Sequence, residues 1–573
     1  MDFAYSKDLT NPVDYPTVPA GEPAARQQFM DLFNEIKDAH NAHAAEILHM
    51  RRYPLILPEI DDTARMQRAL VASQNKILML EEDENYNISQ TLLLPTGCRI
   101  FGQYATITNN ITTQDMVFHI KYSNCAICGI NIVNTVNNIG ITLAESSYNG
   151  SAIVVGYDTN VDTIYNTVID GVTVTNGIEN VSGIILMGKV ENAEVRNCVV
   201  DGDFLTSFHV EWNGVSVISP KNVTFTKCIA QNNTHTDSYA YYISGAVGVN
   251  LKQCIAKNVV SGVMLYCGDN GAETGTEIVY TLDNSSILNF TGYGVSIKGT
   301  NIAQTIARYT GVKIDNCNIK GLSNGAAAVT EGIRIFINDG GISITNNKIE
   351  TVNKGIRCDP SSGIDISHNE FDDIYEQAIK ATSFKRGWIK DNIFKDVSIV
   401  GNTTADHVNI YLTYNSDDNE ICGNKFGYAG QTIRPFAHIY LFRDANANNL
   451  SQNNNIHDNS FYKAEIGFSI INGTSADNLV LKTYIHSNKP ISGDAISTGA
   501  YVYTTQGTSL VIYGGAMPTS GTWTAKDYVV NMFSTIAGTA GSKYTLDGWK
   551  RITTGSNNVL NVDWVEDRAL TGA

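Results

Sequence analysis

The stretch Ser207-Phe208-His209-Val210-Glu211-Trp212-Asn213 carries the residue types best suited to acid–base chemistry. In an extended strand, alternate side chains share a face. His209, Glu211 and Asn213 then stand on one side, and Phe208, Val210 and Trp212 on the other. An imidazole beside a carboxylate can move protons. Asp201 and Asp203 lie just upstream; Asp237, Tyr239, Tyr241 and Tyr242 follow, then Tyr266 and Asp269. Glycoside hydrolysis needs two carboxyl groups roughly 5 to 9.5 Å apart. Parallel strands run about 4.8 Å apart, so carboxylates on neighbouring strands meet that need without being close in sequence. Glu211 with Asp237 or Asp269 is the expected catalytic pair, with His209 beside it; the plain alternative for each acid is an ordinary exposed carboxylate. The competing chemistry is β-elimination on a uronate, with a base such as His209 and with Arg334 and Arg357 neutralising the substrate carboxylate. The sequence leaves hydrolase and lyase both open.

A second set of residues suits binding. Lys298, Arg334, Arg357, Lys380, Tyr411 and Tyr440 fall at equivalent places when recurring segments are aligned on their apolar residues, and Tyr266 joins them. Arg offers a planar fork for carboxylates or hydroxyls, and Tyr a flat apolar face with a hydroxyl. On one face they form a groove for a sugar polymer; the alternative is a solvated surface.

These residues need a scaffold that repeats. Gly341-Ile342-Ser343-Ile344-Thr345-Asn346-Asn347-Lys348-Ile349 returns as Gly363-Ile364-Asp365-Ile366-Ser367-His368-Asn369-Glu370-Phe371, then as Trp388-Ile389-Lys390-Asp391-Asn392-Ile393-Phe394. Later turns close at Asn424-Lys425-Phe426 and Asn459-Ser460-Phe461. A floor near 22 residues per repeat, with longer steps, fits coils of one size carrying insertions. Each coil's strands cannot bury their apolar face alone, so stacking puts Ile on Ile and Asn on Asn. The crossover rule gives the winding its right hand. The expected fold is an all-β right-handed parallel β-helix; the rival is a set of β-sandwiches.

Composition agrees. Forty-eight Gly with abundant Val, Ile and Thr suit short strands and tight turns. A formal charge of -17 argues against nucleic acid as partner. No apolar run is long enough for membrane insertion, and Met1 to Asn11 lacks the basic-then-apolar pattern of a signal peptide. Cys198, Cys228, Cys254 and Cys317 share local contexts and read as core residues; Cys125-Ala126-Ile127-Cys128 has metal or redox spacing but no second pair. No cofactor and no metal is expected, since no HExxH, calcium-loop, P-loop or G-x-S-x-G pattern occurs.

Residues 1–54 read as a helical attachment segment. Phe29, Phe33, Ile36, His40, His43 and Ile47 step by heptad spacing, with two His interrupting the seam. That helix either self-associates or packs on the β-helix. Residues 55–490 form the β-helix, and 491–573 a small β-domain.

Asp61-Asp62-Thr63 opens a capped helix, followed by Lys76-Ile77-Leu78-Met79-Leu80, Tyr86-Asn87-Ile88 and Leu92-Leu93-Leu94-Pro95-Thr96-Gly97-Cys98-Arg99-Ile100-Phe101-Gly102. This order resembles the start of the pectate-lyase-like β-helix in bacteriophage tailspikes, over roughly residues 58 to 108. Gly521-Thr522-Trp523-Thr524-Ala525-Lys526-Asp527-Tyr528-Val529-Val530-Asn531 resembles their "G-x-W-x-x-G-D-x-V-x-N" segment, with Lys526 in place of the family's Gly. Phe208-His209-Val210-Glu211 looks like their "F-H-[IV]-E" stretches. The resemblance implies a homotrimeric spike on the virion tail, working outside the cell. It implies depolymerisation of a bacterial surface polysaccharide, capsule or O-antigen, and a C-terminal domain for trimerisation or carbohydrate binding. Attachment would run through the N-terminal helix to the virion or to another tailspike. A fibre that binds without cutting is the non-enzymatic alternative. A bacterial adhesin or secreted lyase is the third, against which the missing signal peptide counts.

Overall fold

A computed structural model describes the chain from residue 47 to 572. Not covered are 113–114, 136–149, 157–161, 176–179, 212–218, 267–277, 299–308, 326–327, 337–340, 399–406, 429–430, 432–434, 436, 442–452, 462–483, 487–488, 491–501, 507–508, 515, 520–522 and 532. The heptad residues Phe29, Phe33, Ile36, His40 and His43, along with Trp212, Asn213 and Asp269, lie outside the described residues.

The coil containing Cys254 shows the repeating unit. The strand Val247–Lys252 belongs to one sheet; Ile255–Val259 and Ser261–Tyr266 belong to the other. Two residues with left-handed backbone make the turns, Gln253 at φ 55° and Asn258 at φ 54°. Asn dominates such sites because its short polar side chain tolerates that conformation. Asn197, Asn284, Asn316 and Asn346 repeat the first turn, and Asn232 and Asn289 the second.

Each strand pairs in parallel with its equivalent one coil away. Ile333, Ile356, Ile379, Ile410 and Ile439 are successive partners, all fully buried. Phe371, Phe394, Phe426 and Phe461 stack with ring centroids 5.0, 4.7 and 4.9 Å apart. The buried Asn form a ladder. Asn347, Asn369, Asn392 and Asn424 each donate Nδ2–H to Oδ1 of the Asn one coil on, at 2.9 to 3.1 Å. Their backbone N–H groups donate to the same oxygens. The cysteines hold this same place in earlier coils: Cys317 N–H donates to Asn347 Oδ1 at 2.9 Å, and Cys198, Cys228 and Cys254 are buried free thiols. The fold is a right-handed parallel β-helix.

The recurrent Gly before each Ile is sterically required. A Cβ on Gly332 would lie 2.6 Å from Gly355 O and 2.6 Å from Ile349 Cγ2. That space is filled by the next coil, whose Ile349 side chain and Gly355 carbonyl close on the Gly332 backbone.

The helix Thr63–Ala72 buries Met66, Ala69 and Leu70. Its Gln67 donates Nε2–H to Leu93 O at 3.1 Å and accepts Leu93 N–H on Oε1 at 3.0 Å, covering a strand edge that would otherwise be bare. Asp62 occupies the N-cap but makes no side-chain cap; it accepts the Asn87 N–H at 2.7 Å, and Asp61 takes the Thr63 N–H at 2.9 Å. Ile47, expected on a helical seam, is instead strand: Ile47–His49 pairs with Ile77–Met79. The sheet edge there supplied backbone partners that outweighed the heptad spacing. No helix among the described residues is long and apolar enough to cross a membrane. Parallel pairing reaches Lys489–Pro490, and from Val502 a mostly antiparallel sheet follows, with Trp523, Val529, Trp549 and Trp564 as its core.

Candidate functional site

The outer face of the third strand in each coil, Ser261–Tyr266 and its equivalents, forms two columns. His209, Tyr242, Met264, Ser296, Arg334, Arg357, Lys380, Tyr411 and Tyr440 are successive register partners in the first. The second, two residues on, holds Glu211, Ser244, Tyr266, Lys298 and Phe336. Five of the expected binding residues therefore stack directly. Lys298 departs from the expected alignment: it sits one column over, on Tyr266, with Nζ 4.8 Å from the ring centroid.

The row is less open than the sequence suggests. Lys298 is exposed and Arg357 and Lys380 are half-buried, but Arg334, Tyr411 and Tyr440 are buried. Tyr411 and Tyr440 stack at 5.2 Å, and Lys380 Nζ lies 5.6 Å from the Tyr411 ring centroid.

At the middle of the row, two arginines span two carboxylates. Arg334 donates from Nη1 to Glu331 Oε2 at 2.8 Å and from Nε to Asp359 Oδ2 at 3.1 Å. Arg357 donates from Nη1 to Glu331 Oε1 at 3.1 Å, and its Nε lies 3.5 Å from Asp359 Oδ1. The Arg334 guanidinium also stacks 4.2 Å over Phe336. Burial works against the Arg334 charge, but the bonds to Glu331 and Asp359 outweigh it and hold the group above the ordinary arginine range. The Glu331 side chain is 4% exposed and that of Asp359 20%, so the pair has a covered and an open member.

Sequence reasoning missed both acids. Glu331 has the parity of the inward Ile333 and Ile335, so simple alternation sends it into the core. Its carboxylate nonetheless accepts from Nη1 of both Arg334 and Arg357. The legible signal was the repeat itself: Lys354-Gly355-Ile356-Arg357 aligns with Glu331-Gly332-Ile333-Arg334.

The expected centre at His209 and Glu211 is a separate cluster. His209 is buried, with Nε2 3.3 Å from Glu211 Oε2 and Nδ1 3.2 Å from Ser182 Oγ. Tyr242 meets the His209 ring edge-on at 4.9 Å. Burial, then the Glu211 charge and Tyr266, push the Tyr242 phenol up to about 12. Asp237 does not join Glu211. It occupies an exposed turn at φ 66°, seven residues before Ser244, the register partner of Glu211. Seven strand residues span roughly 20 Å. Four coil steps separate His209 from Arg334, or roughly 19 Å.

The expectation of no metal rested on linear motifs. Coil stacking nonetheless brings Glu420, Cys422 and His457 together, with ligand atoms all within 4.8 Å of one another. The Cys125/Cys128 pair contributes two free thiols, of which Cys125 donates to Pro95 O at 3.3 Å.

No family model matches the sequence, and no curated protein sequence matches it. Among solved structures the chain is similar to the tailspike protein of E. coli bacteriophage HK620. For a variant of that protein in complex with a hexasaccharide, identity is 12%, the TM-score 0.55, and 93% of each chain is covered. For its complex with a pentasaccharide, identity is 11% and the TM-score 0.53, over 91% of this chain and 92% of that one. Tailspike protein 3 of bacteriophage CBA120 is 11% identical at a TM-score of 0.46, over 89% of this chain and 68% of that one. At such identities the likeness is one of fold, and in fold this chain is a tailspike-like right-handed parallel β-helix.

Proposed function

We propose that this chain binds and cuts a bacterial surface polysaccharide, capsule or O-antigen, by hydrolysing a glycosidic bond at Glu331 and Asp359. The observation that carries the reading is the carboxylate pair on consecutive coils, bridged by the Arg334 fork. One carboxyl protonates the leaving oxygen while the other attacks the sugar or activates water, the division of labour of two-carboxylate sites. Arg334, stacked on Phe336, holds the pair in place. Arg357, 31% exposed at its side chain, swings from Glu331 to a substrate hydroxyl or carboxylate and uncovers the buried acid. Tyr411, Tyr440 and Lys380 extend the groove on one side, and Tyr266 and Lys298 on the other.

The His209–Glu211 contact favours a second reading, in which an uronate polymer is cleaved there by elimination. A fibre that holds polymer without cutting it is the third. Residues 1–54 would then attach a homotrimer to the virion tail or to another tailspike, and 491–573 would support trimerisation or carbohydrate binding. Purified protein on a panel of capsules and O-antigens separates the readings. New reducing ends without absorbance from an unsaturated uronate mean hydrolysis. A rise in that absorbance means elimination, and binding with neither means a fibre.

A further inference from the structure

The outer face of the other sheet carries a cluster that the sugar groove does not use. Glu420 and Cys422 stand two residues apart on the strand Glu420–Cys422, so alternation turns both outward while Ile421 is buried. One coil on, Asn455–His457 pairs in register, with His457 opposite Cys422. His457 Nε2 lies 3.2 Å from Glu420 Oε1, and Cys422 Sγ 3.7 Å from the same oxygen. The other ring nitrogen, Nδ1, lies 2.8 Å from Asp458 Oδ2. That contact fixes the ring and directs Nε2 into the cluster, as the outer carboxylate does for metal-bound imidazoles. One coil further on, the backbone ladder continues in the strand Tyr484–His486. Lys390, one coil before Cys422, has its ammonium over the Trp388 ring at 5.9 Å.

We propose that Glu420, Cys422 and His457 bind one zinc(II) ion that clamps two successive coils near the C-terminal end of the β-helix. One sulfur, one imidazole nitrogen and one carboxylate oxygen within 4.8 Å of each other fit three corners of a tetrahedron around zinc. Thiolate with imidazole selects zinc over calcium or magnesium, which take oxygen donors. Binding forms the Zn–S bond and releases the Cys422 proton to solvent.

The full chain, stripped by a chelator, is titrated with Zn²⁺ by calorimetry and with Co²⁺ by absorption spectroscopy. The expected result is one ion per chain, with a thiolate-to-cobalt charge-transfer band that Cys422→Ser abolishes. Asp458→Asn keeps every ligand and weakens zinc binding roughly 10- to 100-fold, with the circular dichroism spectrum unchanged. Absence of zinc binding at micromolar concentration would overturn the proposal. So would one-to-one binding that survives both Cys422→Ser and His457→Gln.

Discussion

Replacing Asn392 by Ala should unlatch the solenoid locally. In the native chain Asn392 Nδ2 donates to Asn424 Oδ1 at 3.0 Å and to Ile366 O at 2.9 Å. Its Oδ1 accepts Asn369 N–H at 2.9 Å and Asn369 Nδ2–H at 3.1 Å. The substitution deletes all four bonds and leaves the Asn369 N–H buried without an acceptor. Three bonds at about 1 kcal/mol each and one orphaned donor at about 1 to 3 kcal/mol sum to about 4 to 6 kcal/mol. A solenoid opens by neighbouring repeats, so the loss should be local. Hydrogen exchange followed by mass spectrometry should show protection in residues 364–394 falling by about 10³-fold, since 1.4 kcal/mol is about tenfold. The exposed turn residue Asn258, at φ 54°, provides the control. Asn258→Gly keeps the left-handed turn and should shift protection less than about tenfold. A loss below tenfold for Asn392→Ala, or one spread evenly over all coils, would refute the ladder as the latch.

Two further outcomes follow from the same geometry. Burial pushes His119 down to about 4 despite its bond to Gly156 O at 2.9 Å. The unfolded chain therefore binds the extra proton first, and stability is lost as pH falls from about 6.5 to about 4, by roughly 3 kcal/mol in all. In urea titrations across that range, His119→Asn should flatten this acid limb; an unchanged slope would dismiss the assignment. Tyr266→Ala, which removes the half-buried ring beneath the Lys298 ammonium at 4.8 Å, should weaken polymer binding by a few-fold to about tenfold, the worth of an aromatic contact of about 0.5 to 1.5 kcal/mol. Turnover of short oligosaccharides should stay the same, and equal loss on both substrates would argue against an extended groove.

Much of the scaffold was legible because its signals are periodic. The intervals between Asn347, Asn369, Asn392, Asn424 and Asn459 are the coil lengths themselves, and each of those Asn bonds to the next. Arg334, Arg357, Lys380, Tyr411 and Tyr440 could be aligned because the Ile just before each of them stacks on the next. Lys298 slipped by two residues because parity cannot distinguish neighbours on one face; anchoring on Gly294, equivalent to Gly332, would have put Ser296 opposite Arg334. Asp237 was read as facing Glu211, although Thr236-Asp237-Ser238 is turn-forming and Asp237 adopts φ 66°. Glu331 was hidden because alternation assigns it to the inward face of Ile333, whereas its carboxylate meets Arg334 and Arg357. The Glu420–Cys422–His457 group spans 37 residues, which no local motif can join.

The central claim is that the carboxylates gripped by Arg334 do the cutting. Once a cleaved polymer is found, initial rates of reducing-end release should be compared for the parent, Glu331→Gln, Asp359→Asn and Glu211→Gln, each checked for folding by circular dichroism. The account predicts a loss of about 10³-fold or more for the first two substitutions, in line with an essential acid, base or nucleophile. It predicts a change of less than about tenfold for Glu211→Gln. Near-parent rates in folded Glu331→Gln, with activity abolished in Glu211→Gln, would contradict it and move the chemistry to the His209 cluster.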